Sequence, residues 1–206
     1  MKAAFRLLER AGAILLLSGA LLPLRASPLA RGANETAEGF ARRNGPPGAA
    51  LVHRVVETRA WGGTSKAIIA FYELAGNGER RIEGSIYVPE RGSTYRKIAI
   101  GVFEPEGGDP EIEAVFFAGV GGDRDKKLVV LCSWPQIHHD YRGKLYGVFV
   151  YEPPRPGTTA TKLKFEDAIS KKLEGGCDCE WRDGRKTTAR YRTAAAVKAA
   201  LRTMQP

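Results

Sequence analysis

The sequence predicts an α+β fold: an antiparallel β meander of about six to seven strands with two C-terminal helices packed on the sheet. Three observations carry this. From Leu51 to Glu152, short apolar runs alternate with clusters of Gly, Pro, Asn and Asp. The runs recur about every 15 residues, too close for crossover helices, so neighbouring strands pair antiparallel. Beyond Pro153-Pro154-Arg155-Pro156-Gly157 the apolar spacing changes from two to three and four.

The chain opens on a segment that does not belong to that fold. Lys2, Arg6 and Arg10 form a basic stretch, followed by the uncharged, Leu- and Ala-rich Ala11–Leu24. Those 14 residues suit a signal peptide; a spanning helix needs about 20. Residues 1–26 therefore read as a cleavable leader cut after Ala26, and the expected location is periplasmic or secreted. No Cys lies near the cut to carry a lipid anchor, and no transmembrane segment is expected in the mature chain. Residues 27–50 hold Gly, Pro, Ala and charge with little to bury, and read as a flexible N-terminal segment. Asn34-Glu35-Thr36 matches a glycosylation acceptor.

Residues 51–206 read as a single globular α+β domain, β-rich over 51–152 and helical over 160–206. Strands are expected at Leu51–Glu57, Lys66–Glu73, Arg81–Val88, Lys97–Phe103, Glu111–Ala118, Lys127–Trp134 and Lys144–Glu152. Asn77-Gly78 is a hairpin signal, because both residues tolerate positive φ. Ile82, Gly84, Ile86 and Val88 share one face, and Glu83, Ser85 and Tyr87 the other. Leu128-Val129-Val130-Leu131-Cys132 does not alternate, which predicts a central strand covered on both faces, with helices as the second cover.

The first helix is expected over Leu163–Leu173, with Phe165, Ile169 and Leu173 at steps of four and Gly175 closing it. The second spans about Thr187–Met204, with the stripe Tyr191, Ala194, Val197, Leu201 and Met204 toward the sheet. Charge concentrates there. The chain carries a net +9, of which the leader accounts for three and residues 182–206 for six. Arg185, Arg192, Lys198 and Arg202 are the candidate anion-binding residues, the plainer alternative being a solvated helix face.

Cys132, Cys177 and Cys179 are the only thiols. Export favours a disulfide, and Cys132 to one of the other two is the expected pairing, since Cys177–Cys179 closes a very small ring. Such a bridge closes about 45 residues and contributes about 4 kcal/mol by chain entropy. A zinc site on Cys177 and Cys179 lacks a second matched pair.

His138, His139 and Asp140 are the candidate metal ligands, with zinc or copper as the ion; no other cofactor is predicted. Adjacent residues on an extended segment point apart, which argues against His138 and His139 sharing an ion and leaves a polar hairpin tip as the plainer reading. Gly121–Leu128 has the outline of a calcium loop, but Asp123 and Asp125 are interleaved with Arg and Lys, which favours a tight turn. Trp134 and Trp181 with Tyr141, Tyr146 and Tyr151 could line a stacking surface or pack a core edge. Gly76-Asn77-Gly78 lacks dinucleotide-loop context, and G-x-S-x-G and Walker A motifs are absent. Pairs such as Glu104/Glu106 and Glu111/Glu113 are ordinary on a strand's solvent face, so no catalytic residue is named.

The expected function is a non-catalytic exported protein that binds a ligand or envelope partner, either an anionic envelope component or another exported protein. The alternative is a small metal-dependent enzyme using the His138–Asp140 loop. Nucleic acid is the least expected anion, since an exported protein seldom meets it and no recognition motif is present.

Overall fold

The computed structural model describes residues 29–61, 65–76, 78–154 and 159–205. The leader at 1–26 and Asn77 of the hairpin turn lie outside them. Among the described residues the fold is mostly antiparallel β, as expected, but with eleven strands divided between two sheets. The first sheet is built from β4 (Ala67–Gly76), β5 (Glu79–Pro89) and β6 (Thr94–Phe103). The short strands β1 (Leu29–Ala30), β2 (Ala50–Leu51) and β3 (Val56–Thr58) pair at its margins. The second sheet runs β11-β10-β9-β8-β7, from β7 (Glu111–Ala118), β8 (Lys127–Ile137), β9 (Tyr141–Tyr151), β10 (Gly176–Trp181) and β11 (Lys186–Thr187). The break between sheets falls after β6, where residues 104–110 carry the chain across.

Period-two patterning explains the layers. Ile69, Phe71, Ile82, Ile86, Ile98 and Ile100 of the first sheet meet Leu128, Val130, Cys132 and Trp134 of the second in one shared core. The odd-numbered residues of 128–132 turn away from it. Val129 and Leu131 pack instead with Leu173, Tyr191, Val197 and Leu201 from the C-terminal region. The non-alternating run on β8 is thus buried on both faces, with helices as the second cover. The β4–β5 hairpin closes with Gly76 opposite Glu79, and Gly78 has φ +80°.

Three expectations differ from the structure, each for a local reason. Residues 29–50 are not a loose lead-in. They form α1 (Ala37–Asn44), whose Phe40 and Ala41 are fully buried on the outer face of the first sheet. One aromatic in a polar stretch suffices, because Tyr72, Tyr87 and Tyr95 present a matching apolar surface. Thr36 of the acceptor tripeptide is the helix N-cap, its hydroxyl accepting from the Gly39 N–H at 3.0 Å.

The first C-terminal helix is shorter than expected, α2 (Asp167–Lys172). Residues 161–166 are extended and hydrogen-bonded to both sheets: Leu163 N–H to Ala99 O at 2.8 Å and Glu166 N–H to Val150 O at 2.8 Å. Those backbone bonds and the burial of Leu163 in the shared core override the helical spacing.

The last helix is α3 (Ala194–Thr203), capped by Thr193, and its Val197 and Leu201 dock with Tyr191 as expected. Residues 176–187, read as part of a helical region, form the β10–β11 hairpin instead, turning at Asp183-Gly184 with Gly184 at φ +85°. Among the described residues no helix is long and apolar enough to cross a membrane.

Ion pairs help to hold the N-terminal segment. Arg43 pairs with Glu35 at 2.8 Å, and this hydrogen bond together with the Gly32 N–H brings the Glu35 carboxyl down to about 2. Because the folded value lies below the ordinary 4.5, that contribution is present above pH 4.5 and is lost as pH falls toward 2. An NMR titration of the Glu35 side chain should show a midpoint near 2. A midpoint near 4.5 would contradict this docking.

Candidate functional site

The candidate site lies where the β8–β9 hairpin meets the β10–β11 hairpin. Ile137 pairs with Arg142, and the His138 N–H donates to Tyr141 O at 2.9 Å, so residues 138–141 make a tight turn. In a turn, neighbouring side chains need not diverge as they do on a strand. The imidazoles of His138 and His139 lie with ring centroids 4.2 Å apart. One ligand-type atom from each of His138, His139 and Asp140 lies within 4.8 Å of the others. The expectation that the two histidines point apart is overturned, because it assumed extended backbone.

Two of the three donor separations lie near the ligand spacing of a tetrahedral ion. Asp140 Oδ2 is 3.7 Å from His138 Nδ1 and 3.0 Å from His139 Nε2. A tetrahedral ion with bonds of about 2.0–2.1 Å separates its ligand atoms by about 3.3 Å, between those values. The backbone N–H of Asp140 donates to His138 Nδ1 at 3.3 Å, a bond that an ion at that nitrogen would displace. The Arg182 N–H donates to Asp140 O at 2.7 Å and ties this turn to the neighbouring hairpin.

A row of rings runs from the turn along the sheet. His138 stacks on Tyr141 at 5.1 Å, Tyr141 meets Trp181 at 4.7 Å, and Arg185 lies over the Trp181 ring at 4.9 Å. Trp181 and Tyr141 are register partners, as are Cys179 and Gly143, and Cys177 and Leu145. Cys177, Cys179 and Trp181 therefore share one face of β10. Together with Gln136, Tyr141 and Leu145 they line a mainly apolar cleft of about 180 Å³. The Trp181 indole N–H is buried and has no hydrogen-bond partner. A larger hollow of about 520 Å³ borders the same strand ends, with Arg142, Asp178, Glu180 and Lys186 among its walls.

The cysteines pair differently from expectation. Cys177 and Cys179 are bridged, with Cα atoms 5.3 Å apart, and Cys132 is free and buried. Strand order explains why. Cys132 sits opposite Gly147 on β9, and β9 separates β8 from β10. Two strand spacings amount to about 9.6 Å, beyond the roughly 7 Å that a disulfide tolerates between Cα atoms. Burial raises the Cys132 thiol to about 12, so it is inert as a nucleophile. The bridge that does form closes three residues, which by chain entropy gives about 1.6 kcal/mol, against about 4 kcal/mol for the expected one.

The other candidates scatter. Asp123 Oδ1 accepts from the Asp125 N–H at 3.0 Å with Gly121 and Gly122 at positive φ, a tight turn in which the carboxylate serves the backbone. Arg185 pairs with Asp183, and Arg192 with Asp178. Lys198 lies over the Phe116 ring at 4.9 Å, and Arg202 donates to Lys198 O. The four basic residues thus occupy a hairpin turn, a helix entry and one helix face, and two are already matched by acids. Trp134 and Tyr151 are buried, so of the five aromatics only Tyr141 and Trp181 contact each other at the site. The acid pair Glu111 and Glu113 is bridged by Lys144 at 2.8 and 2.9 Å.

β10 was missed from sequence, although its signal is present. Cys177-Asp178-Cys179-Glu180-Trp181 alternates apolar and acidic residues, and Asp183-Gly184 follows as a hairpin turn. Comparison with family models, with curated proteins and with solved structures returns no match for this chain.

Proposed function

We propose that the chain is an exported binding protein whose ligand is a divalent transition-metal ion, zinc or copper, held at the β8–β9 turn by His138, His139 and Asp140. The observation that carries this reading is the convergence of the three donor atoms within 4.8 Å. Two imidazoles and a carboxylate suit zinc and copper, and offer too few oxygens for calcium or magnesium. The site is solvent-exposed, with His138, His139 and Asp140 side chains 49, 73 and 53 % accessible. Water surrounds any bound ion, which favours binding over catalysis at that ion.

The test is calorimetric titration of the untagged protein with zinc and with copper chloride. One equivalent should bind, each of H138A, H139A and D140A should weaken binding by at least about tenfold, and calcium should give no heat. Binding that is absent, or unchanged in the triple variant, overturns the reading. The donor count also supports the small metal-dependent enzyme, because three protein ligands leave a coordination position open. Hydrolase turnover of the zinc-loaded protein, lost in H139A, would establish that alternative.

A further inference from the structure

We propose that the Cys177–Cys179 bridge is a thiol–disulfide exchange centre that acts on dithiol peptides. The bridge is not needed to hold the chain. Cys177 is paired with Leu145 in the sheet, and Cys179 with both Gly143 and Thr187. A disulfide that secures no distant segment and lies at an accessible cleft belongs to the labile class rather than the structural one. Cys177 is partly exposed at the cleft, whereas Cys179 is 3 % exposed. The two sulfurs therefore divide the work, one meeting the partner and the other leaving.

The cleft places apolar side chains beside the bridge, those of Tyr141, Leu145 and Trp181. Gly143 faces Cys179, where an added methyl would lie 2.8 Å from its sulfur. That glycine keeps the leaving sulfur unobstructed.

The exchange balances as follows. A substrate thiolate attacks Cys177 Sγ, the Sγ–Sγ bond breaks, and its electron pair leaves on Cys179 Sγ, which takes a proton from water. The substrate's second thiolate then attacks the substrate sulfur of the mixed disulfide and expels the Cys177 thiolate. The substrate loses two electrons and two protons and becomes a disulfide, and Cys177 and Cys179 become a dithiol. A small disulfide such as oxidised glutathione restores the bridge by the reverse steps.

The test uses the whole mature protein in reduced glutathione, with acid quenching, alkylation and peptide mapping. At millimolar glutathione, Cys177 and Cys179 should each take up label while near-UV circular dichroism is unchanged and Cys132 stays unlabelled. The oxidised protein should oxidise a CxxC dithiol peptide at least about tenfold faster than oxidised glutathione alone. With oxidised glutathione, C179A should form a mixed disulfide at Cys177 and release one reduced glutathione, and C177A should form none at Cys179. A bridge that resists glutathione until the protein is unfolded overturns the proposal, as does equal trapping by the two variants. The H138A/H139A double variant should exchange at the wild-type rate, so loss of metal binding leaves this result standing.

Discussion

Phe40→Ala should destabilise the protein by about 3–5 kcal/mol in urea unfolding, the range for removing a buried aromatic ring. Phe40 is fully buried and meets Tyr87 edge-on at 5.2 Å and Tyr95 at 5.0 Å. Its removal leaves a cavity and also loosens α1, whose carbonyls satisfy buried hydroxyls. Tyr72 donates to Ala41 O at 2.7 Å, and Tyr87 to Asn44 O at 3.0 Å. If the helix lifts away, both hydroxyls lose these backbone acceptors and keep only their 2.8 Å bond to each other and bonds to water. Alkaline titration supplies a second readout. Burial raises the Tyr72 hydroxyl from 10.0 to about 12, so the folded state loses stability as pH rises from 10 toward 12. In Phe40→Ala that loss should be smaller, because an undocked helix admits water to Tyr72. A variant within about 0.5 kcal/mol of the parent, with the same alkaline profile, would mean that α1 contributes nothing to the fold.

The strands of the meander were legible because each carries its own signal. β4, β5, β6, β7, β8 and β9 alternate or run apolar between turn clusters, and β8 announces its double cover by failing to alternate. The division into two sheets was not legible, since a meander reads the same locally whether or not β6 and β7 pair. Leu163 shows the limit of periodicity. The stripe Phe165, Ile169 and Leu173 that follows it has helical steps of four, yet backbone bonds to Ala99 hold Leu163 extended. Phe40 shows another limit: composition averages a window, but one ring can anchor a helix if a distant surface fits it.

The site was half legible. His138, His139 and Asp140 stand out by residue type, and that they lie together was not legible because residues 138–141 turn rather than extend. The partnership of that turn with Cys177, Cys179 and Trp181 was hidden, since it depends on β10 pairing with β9 across the 24 residues of intervening chain, 152–175. Once the register is known, the rest follows from period two. The Cys132 error has the same root, because only strand order shows that β9 lies between it and the other cysteines.

Gly143→Ala should cost about 3 kcal/mol, at the upper end for overpacking, and should disable both proposed activities together. A methyl at Gly143 would lie 2.2 Å from Asp178 O and 2.7 Å from Cys179 Cα. Both are backbone atoms of β10, which cannot rotate aside as a side chain can, so the strand itself must move from β9. That displacement carries Cys179 and Trp181 with it. It also strains the Arg182 N–H to Asp140 O bond, at 2.7 Å, that steadies the His138–Asp140 turn. Gly101→Ala is the matched control in a strand of the other sheet. There the nearest neighbour of the added methyl is the Tyr151 hydroxyl at 3.0 Å, a side-chain rather than a backbone atom, and the cost should be about 1 kcal/mol, as for ordinary substitutions. Urea unfolding measures both variants, and the Trp181 fluorescence of Gly143→Ala, isolated by difference with W181F, should shift to the red as the ring is exposed. If Gly143→Ala unfolds at the parent's urea midpoint and keeps its zinc affinity and exchange rate, then close β9–β10 packing is not what assembles the site.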